Sequence, residues 1–253
     1  MAPRAIHCPD SGGSHVLTPR VPDPDLKYLR RTSAGAEYVR QITAVASDRR
    51  ARSAFRELVL RVAPPGAALF DFGAGPGIDA RFFAERGFSI EAYDVDPRMR
   101  EYFADYCRDL MEAGRVMLDC SGYREFVTRA ATAEGRVDLV ISNFAPLNLV
   151  DDLHELFAKF HTLTRANGRV LASVLNPFYI GEMHSRWWWQ AAPRLLREGQ
   201  FFVPGPQAPH YRRLPGYFRA VTAPYFRLQR VFRGLSSRYL FLLFEKRDGG
   251  IAS

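Results

Sequence analysis

Residues Ala67-Ala68-Leu69-Phe70-Asp71-Phe72-Gly73-Ala74-Gly75-Pro76-Gly77 decide the fold of this chain. The apolar run from Ala67 to Phe70 reads as a buried strand that ends at an acidic residue. Three glycines then stand at alternate positions. Residues without a side chain let the backbone turn sharply off a strand, approach a ligand closely and enter a helix at once. A dinucleotide-binding turn would place a further glycine at position 78. That position is Ile78, and Pro76 sits inside the loop.

Downstream, Ile78, Phe82, Phe83 and Arg86 mark a helix closed by Gly87, and a second strand, Phe88 to Tyr93, ends at Asp94. That acid lies about 20 residues beyond the loop, the offset at which a carboxylate accepts from two neighbouring ribose hydroxyls. Asp96-Pro97 opens another helix, with Asp as cap and Pro in first position. Val116 to Leu118 form a third strand ending in Asp119-Cys120. Val137 to Ser142 form a fourth, apolar enough to be buried on both faces. Asn143-Phe144-Ala145-Pro146-Leu147-Asn148 follows it, then a helix starting at Asp151-Asp152 with Leu153, Leu156, Phe157 and Phe160 on one face. Asn167-Gly168 reads as a turn into a fifth strand, Arg169 to Leu175. Strands alternating with helices predict a parallel sheet, and ligands of such sheets lie at the carboxyl ends of the strands. The loops carrying Gly73 to Gly77, Asp94, Asp119 and Asn143 all belong to those ends.

The alternation breaks over residues 176–217, which hold every tryptophan of the chain in Trp187-Trp188-Trp189, with Tyr179, His184, Phe201, Phe202, His210 and Tyr211. Tyr225 to Val231 and Arg238 to Glu245 then read as an antiparallel hairpin. Upstream, residues 1–25 lack hydrophobic periodicity and read as a disordered tail. Residues 26–65 read as a helical cap ended by Pro64-Pro65-Gly66, with Ser47-Asp48 as a helix start. Tyr28 and Tyr38 belong to this cap, and core packing outweighs ligand contact for both.

The pattern acid-x-Gly-x-Gly-x-Gly, with the acid ending the second strand, resembles the class I S-adenosylmethionine-dependent methyltransferases over residues 66–246. The resemblance implies a Rossmann-like, doubly wound, seven-stranded sheet, mostly parallel with a C-terminal antiparallel hairpin and helices on both faces. It implies S-adenosylmethionine as cofactor, held by Asp71, Gly73, Ala74, Gly75, Gly77, Asp94, Val95, Asp119, Cys120, Asn143 and Phe144. It makes residues 176–217 an acceptor lid, with Tyr179, His184, Trp187, Trp188 and Tyr211 as candidate substrate contacts; a small satellite core is the competing reading of that segment. His184 is the candidate base for an oxygen or carbon acceptor, with His154, His210 and Glu182 behind it. Amino-directed nucleic-acid methyltransferases carry Asp/Asn-Pro-Pro-aromatic after the fourth strand. This chain has Asn143 without the two prolines, which argues against base methylation. Its Ser142-Asn143-Phe144-Ala145 run, with Leu147-Asn148 and the acidic helix start after it, is similar to methyltransferases of small metabolites, and the aromatic lid suits a flat or apolar acceptor.

The whole chain sets outer bounds. Its 253 residues are 47% hydrophobic, sufficient to fill one α/β core with an appendage, leaving residues 247–253 as a C-terminal tail. The longest apolar run, Tyr239 to Phe244, is far short of the roughly 18 residues of a membrane span. Cys8, Cys107 and Cys120 form no CxxC pair, so the expectation is a reduced, cytoplasmic protein without a metal site. The net charge of +8 comes from scattered groups such as Arg30-Arg31, Arg49-Arg50 with Arg52, and Arg212-Arg213, which read as solvated surface. That argues against a nucleic-acid track. An RNA or protein methyltransferase using this basic surface, or a non-catalytic cofactor-binding module, are the alternative readings. The sequence leaves the oligomeric state open, monomer or homodimer.

Overall fold

The computed structural model describes residues 40, 43–130, 134–203, 210–232 and 237–247. The N-terminal tail, Tyr28 and Tyr38, lid residues 204–209, the hairpin turn at 233–236 and the tail from 248 fall outside them. The chain divides into two compact units, one ending at Phe126 and the other beginning at Val127.

In the first unit, β1 (Ala68–Phe72), β2 (Ser89–Tyr93) and β3 (Val116–Asp119) are parallel, in the order β3-β2-β1. β1 runs two residues further than its apolar run suggests, so Asp71 lies inside the strand, opposite Ala92. The flanking helices are α1 (Ala46–Val62), α2 (Ile78–Ala84), α3 (Pro97–Tyr106) and α4 (Arg108–Glu112), and α5 (Tyr123–Thr128) begins within the unit's last residues. α1 begins one residue before the expected Ser47-Asp48 cap. The Val45 carbonyl accepts from the Asp48 and Arg49 amides, while Asp48 sits in the first turn, where a negative charge complements the helix dipole. Asp96 caps α3 as read, its carboxylate accepting from the Arg98 amide at 2.9 Å. Phe70, Phe72, Tyr93 and Phe126 form a stacked aromatic core, with the Tyr93 and Phe126 centroids 4.3 Å apart.

In the second unit, β4 (Val137–Ser142) and β5 (Thr164–Leu175) are parallel, followed across the sheet by β9 (Tyr239–Lys246) and β8 (Phe226–Phe232). β9 runs antiparallel to both β5 and β8, which explains its six consecutive buried residues. The helix α6 (Leu153–Leu163) is capped by Asp152 and buries Leu153, Leu156, Phe157 and Phe160, as its spacing predicts. β5 starts five residues earlier than expected. Thr164 already pairs with Val137, and Asn167-Gly168 is an irregularity within the strand rather than a turn before it. Asn167 takes the left-handed conformation at φ 60°, and a Cβ on Gly168 would meet Thr164 Cβ at 2.7 Å.

Residues 176–217 fold into α7 (Ile180–Met183), α8 (Arg186–Glu198) and an antiparallel hairpin of β6 (Gln200–Val203) and β7 (His210–Arg213). The chain then enters α9 (Pro215–Thr222). Together the seven main strands form the mostly parallel, Rossmann-like sheet expected from the strand–helix alternation. Among the described residues no helix is long and apolar enough to cross a membrane.

Candidate functional site

In the first unit, register alone brings the predicted residues to one edge. Phe72, Tyr93 and Asp119 occupy one row, so Gly73, Asp94 and Cys120 leave the sheet side by side. The Gly73 and Ala74 amides donate to the Tyr93 carbonyl at 2.8 and 3.0 Å. The Gly75 amide donates to Asp94 Oδ2 at 2.7 Å, and the Asp96 amide donates to Asp94 Oδ1 at 2.9 Å. The Asp94 carboxylate is thereby fixed from both sides, yet an ionised carboxylate offers about four acceptor positions. Two remain for a ligand. Burial raises the acid's pKa, and these two backbone bonds oppose the shift. Gly75 has φ 55° and open space where a Cβ would stand, whereas Gly77 packs closely on Phe103 and Cys107. Val95, next along, is 58% exposed, an apolar side chain presented to solvent beside the acid.

Asp71 lies behind this edge with Oδ2 buried and unpartnered. Burial, with Asp79 and Asp94 nearby, pushes its pKa well above the usual carboxylate range; Arg52 opposes them. Asp79, in the first turn of α2, is clamped by Arg52 at 2.8 Å and Arg56 at 2.6 Å. Arg56 also donates to the Ile78 carbonyl, tying α1 to the start of α2. Arg52 is therefore a buried ion-pair partner, not the solvated charge expected of its group. Asp119 Oδ1 accepts from the Ser121 amide at 2.9 Å, and Arg100 donates to the Cys120 carbonyl. Cys107 is free, and burial raises its thiol to about 12, so it is no nucleophile.

The second unit builds its edge around Asn143. Phe144 and Ala145 both adopt left-handed conformations, φ 62° and 65°, a rare pairing for residues with side chains. Asn143 Oδ1 accepts from the Phe144 amide and from Ser173 Oγ, while Ser173 Oγ accepts from the Ala145 amide at 3.3 Å. Ser173, from β5, therefore holds the strained turn in place. The Phe144 ring meets Tyr239 edge-on at 5.5 Å. Asn148, at the end of the 3-10 turn Pro146–Asn148, donates to the Tyr211 carbonyl and accepts from the Leu175 amide.

The lid candidates separate. Trp188 is 5% exposed, donates to the Pro177 carbonyl and forms a satellite core with Leu195 and Phe201, against which Trp187 packs. Tyr179 is half-buried beside α7. His184 is exposed at the end of α7, and the His210 side chain lies outside the described part. Hydrogen bonding to Asp151 raises the Tyr211 pKa and keeps its phenol protonated. His154 contacts Tyr225 instead of the Asn143 turn.

Arg212 and Arg213 are buried rather than solvated. Strand alternation sends them to opposite faces of β7. Arg213, 1% exposed, donates to the Leu147 and Val150 carbonyls at 2.9 and 2.8 Å and lies over Tyr211. Arg212 donates to the Asn176 carbonyl and pairs with Glu182. Sequence reasoning missed Ser173, Asn148 and both arginines. The adjacent arginines on an alternating strand were the one available signal. Among the described residues no group of His, Cys, Asp or Glu is placed to hold a metal ion.

A search of curated proteins by sequence finds no match. Solved structures agree in fold at low identity. One is Burkholderia thailandensis 1,6-didemethyltoxoflavin-N1-methyltransferase with bound 1,6-didemethyltoxoflavin and S-adenosylhomocysteine. It is 18% identical with TM-score 0.60, covering 93% of this chain and 95% of its own. Another is Streptomyces coelicolor geranyl diphosphate C-methyltransferase in complex with Mg2+, geranyl-S-thiolodiphosphate and S-adenosyl-L-homocysteine. Its values are 16% and 0.55, covering 80% and 78%. A Mesorhizobium loti S-adenosylmethionine-dependent methyltransferase gives 14% and 0.54, covering 77% and 96%. A family profile described as a methyltransferase domain matches residues 46–205, from the first residue of α1 into the lid. With the glycine turn, the fixed acid after β2 and this match in view, the chain belongs to the methyltransferase-domain family and is an S-adenosylmethionine-dependent enzyme.

Proposed function

We propose that this enzyme methylates a small biosynthetic acceptor of aromatic or apolar character. The observation that carries the cofactor half of this reading is the Asp94 carboxylate, held by the Gly75 and Asp96 amides with lone pairs to spare. In this reading Asp94 takes the ribose hydroxyls, Val95 and Cys120 flank the adenine, and Asp119 accepts from its amino group. Asp71, with its orphaned oxygen, faces the cationic end of the ligand through the Gly73–Gly77 backbone. When bound, the cofactor supplies an electrophilic methyl group on a sulfonium. The chain's own task is alignment and exclusion of water, and positioning of this kind is worth about 7–11 kcal/mol in ideal systems.

For the acceptor half, the Asn143–Ala145 turn is the proposed lining, with Phe144 and Tyr179 as apolar contacts. Two small-molecule methyltransferases among the structural neighbours support this class by analogy of fold alone. His184, exposed at the end of α7, is the proposed base for an oxygen or carbon acceptor. Nucleic acid as acceptor loses support because Arg52, Arg212 and Arg213, part of the basic inventory, are buried.

Calorimetric titration with S-adenosylhomocysteine tests the cofactor half. Asp94→Ala removes acceptors worth about 1.5–3 kcal/mol for a charged hydrogen bond, so affinity falls at least tenfold. Unchanged affinity in both Asp94→Ala and Gly75→Val ends the reading.

A further inference from the structure

At the carboxyl end of β5, two guanidinium groups share one carboxylate. Glu182, from α7, pairs with Arg212 and lies 3.3 Å from the Nε of Arg238. Two guanidinium groups and one carboxylate give this trio one net positive charge, with the Tyr239 phenol beside Arg212. Arg212 is 4% exposed, and its Nε, buried, donates to nothing. Its remaining bond goes to the neutral carbonyl of Asn176, 3.1 Å away. A cation removed from water without a full set of acceptors is costly, and such a cost persists where a ligand relieves it.

The cluster is anchored from several directions. The Asn176 amide donates to the Arg238 carbonyl, and the Asn176 side chain donates to the Ser237 carbonyl at 3.1 Å. Arg212 is therefore held still, while the Arg238 side chain remains 47% exposed, with one oxygen of Glu182 within reach. Tyr239, the next residue, lies edge-on to Phe144 of the strained turn. The positive charge is thus one side chain away from the turn assigned to the acceptor. Phe178, 45% exposed, adds an apolar surface at the same strand end.

We propose that Arg238, backed by the buried Arg212, is an anion subsite for the acceptor, which is an apolar molecule bearing an acidic group such as a carboxylate or phosphate. Arg238 receives the acid through its outward N–H groups, and Arg212 supplies the fixed positive potential behind it. Glu182 tunes the subsite by competing for the same donors. This assignment rests on the small-acceptor reading above.

The test uses the purified full chain saturated with S-adenosylhomocysteine, titrated with sodium benzoate, inorganic phosphate and pyrophosphate, and with benzamide as the neutral analogue of benzoate. At least one anion binds, and benzamide binds at least tenfold more weakly than benzoate if benzoate is the one taken. Arg238→Gln weakens anion binding at least tenfold while leaving the S-adenosylhomocysteine affinity unchanged. Glu182→Gln tightens anion binding, although it removes an ion pair. A cluster that merely braces the lid would respond to Glu182→Gln with a lower melting temperature and no gain in anion affinity, and that result overturns the proposal. Equal binding of benzoate and benzamide, or no anion bound by the wild type, overturns it as well. Failure of S-adenosylhomocysteine itself to bind refutes the earlier reading instead, so the two failures are distinguishable.

Discussion

Gly77 and Gly75 stand two residues apart in one loop, and the structure assigns them different reasons for being glycine. Gly77 has φ 84°, and a Cβ there would lie 2.8 Å from both Cys107 Sγ and Phe103 Cδ2. Both neighbours are fully buried, so neither retreats freely. Gly77→Ala therefore incurs a left-handed backbone cost of about 1–2 kcal/mol and an overpacking cost of about 1–3 kcal/mol, roughly 2–5 kcal/mol together. Gly75→Ala, at φ 55° with nothing within 4 Å of the new methyl group, incurs only the first, about 1–2 kcal/mol. Urea unfolding followed by circular dichroism measures both, with the slope checked for constancy. Gly77→Ala lowers the midpoint more than Gly75→Ala, while Gly75→Ala weakens S-adenosylhomocysteine more in proportion to its stability loss. If Gly77→Ala is no more destabilising than Gly75→Ala, the packing explanation of this loop is wrong.

Three further outcomes follow from the geometry. The folded-state pKa of Asp71 is raised above its ordinary 3.8, so its contribution to stability is present below that value and is lost as pH rises through the raised one. Asp71→Asn, neutral throughout, removes that component, and identical stability–pH slopes for variant and wild type in urea titrations would contradict it. Arg213→Met leaves the Leu147 and Val150 carbonyls and the Gln200 side chain without their donor, costing about 3–5 kcal/mol by analogy with broken buried pairs. Arg213→Lys fails to restore the loss, because one ammonium does not reproduce the planar fork. Ser173→Ala frees the Asn143–Ala145 turn, so methyl transfer slows at least tenfold with a melting temperature within a few degrees of wild type. A full-rate variant would show that the turn holds itself.

The shared edge of Gly73, Asp94 and Cys120 was legible in the sequence because its signals are local. Glycines at alternate positions, an acid ending each short apolar run, and Asp96-Pro97 all sit within a few residues of what they determine. The start of β5 was not, because Asn167-Gly168 carries turn chemistry and only the pairing of Thr164 with Val137 overrides it. Nor was the fate of the tryptophan triplet. A ring suited to a ligand pocket is equally suited to a core, and Trp188 is settled by Leu195, Phe201 and the Pro177 carbonyl. Arg212 and Arg213 read as surface because charge is usually solvated; partners more than 30 residues away in sequence place them inside. The left-handed Phe144-Ala145 pair had no sequence signal, since neither residue favours that conformation.

The position of β9 bears on how the polypeptide acquires its shape during synthesis. Tyr239–Lys246 is sandwiched between β5 and β8, so both strands present a bare ladder of amides and carbonyls until residue 246 has been made. The unit ending at Phe126 has its three strands synthesised long before then. Its partner has to wait with sticky borders open, which makes the interval before β9 arrives the moment of greatest exposure to aggregation, and makes a nascent chain halted before Tyr239 a natural client for chaperones.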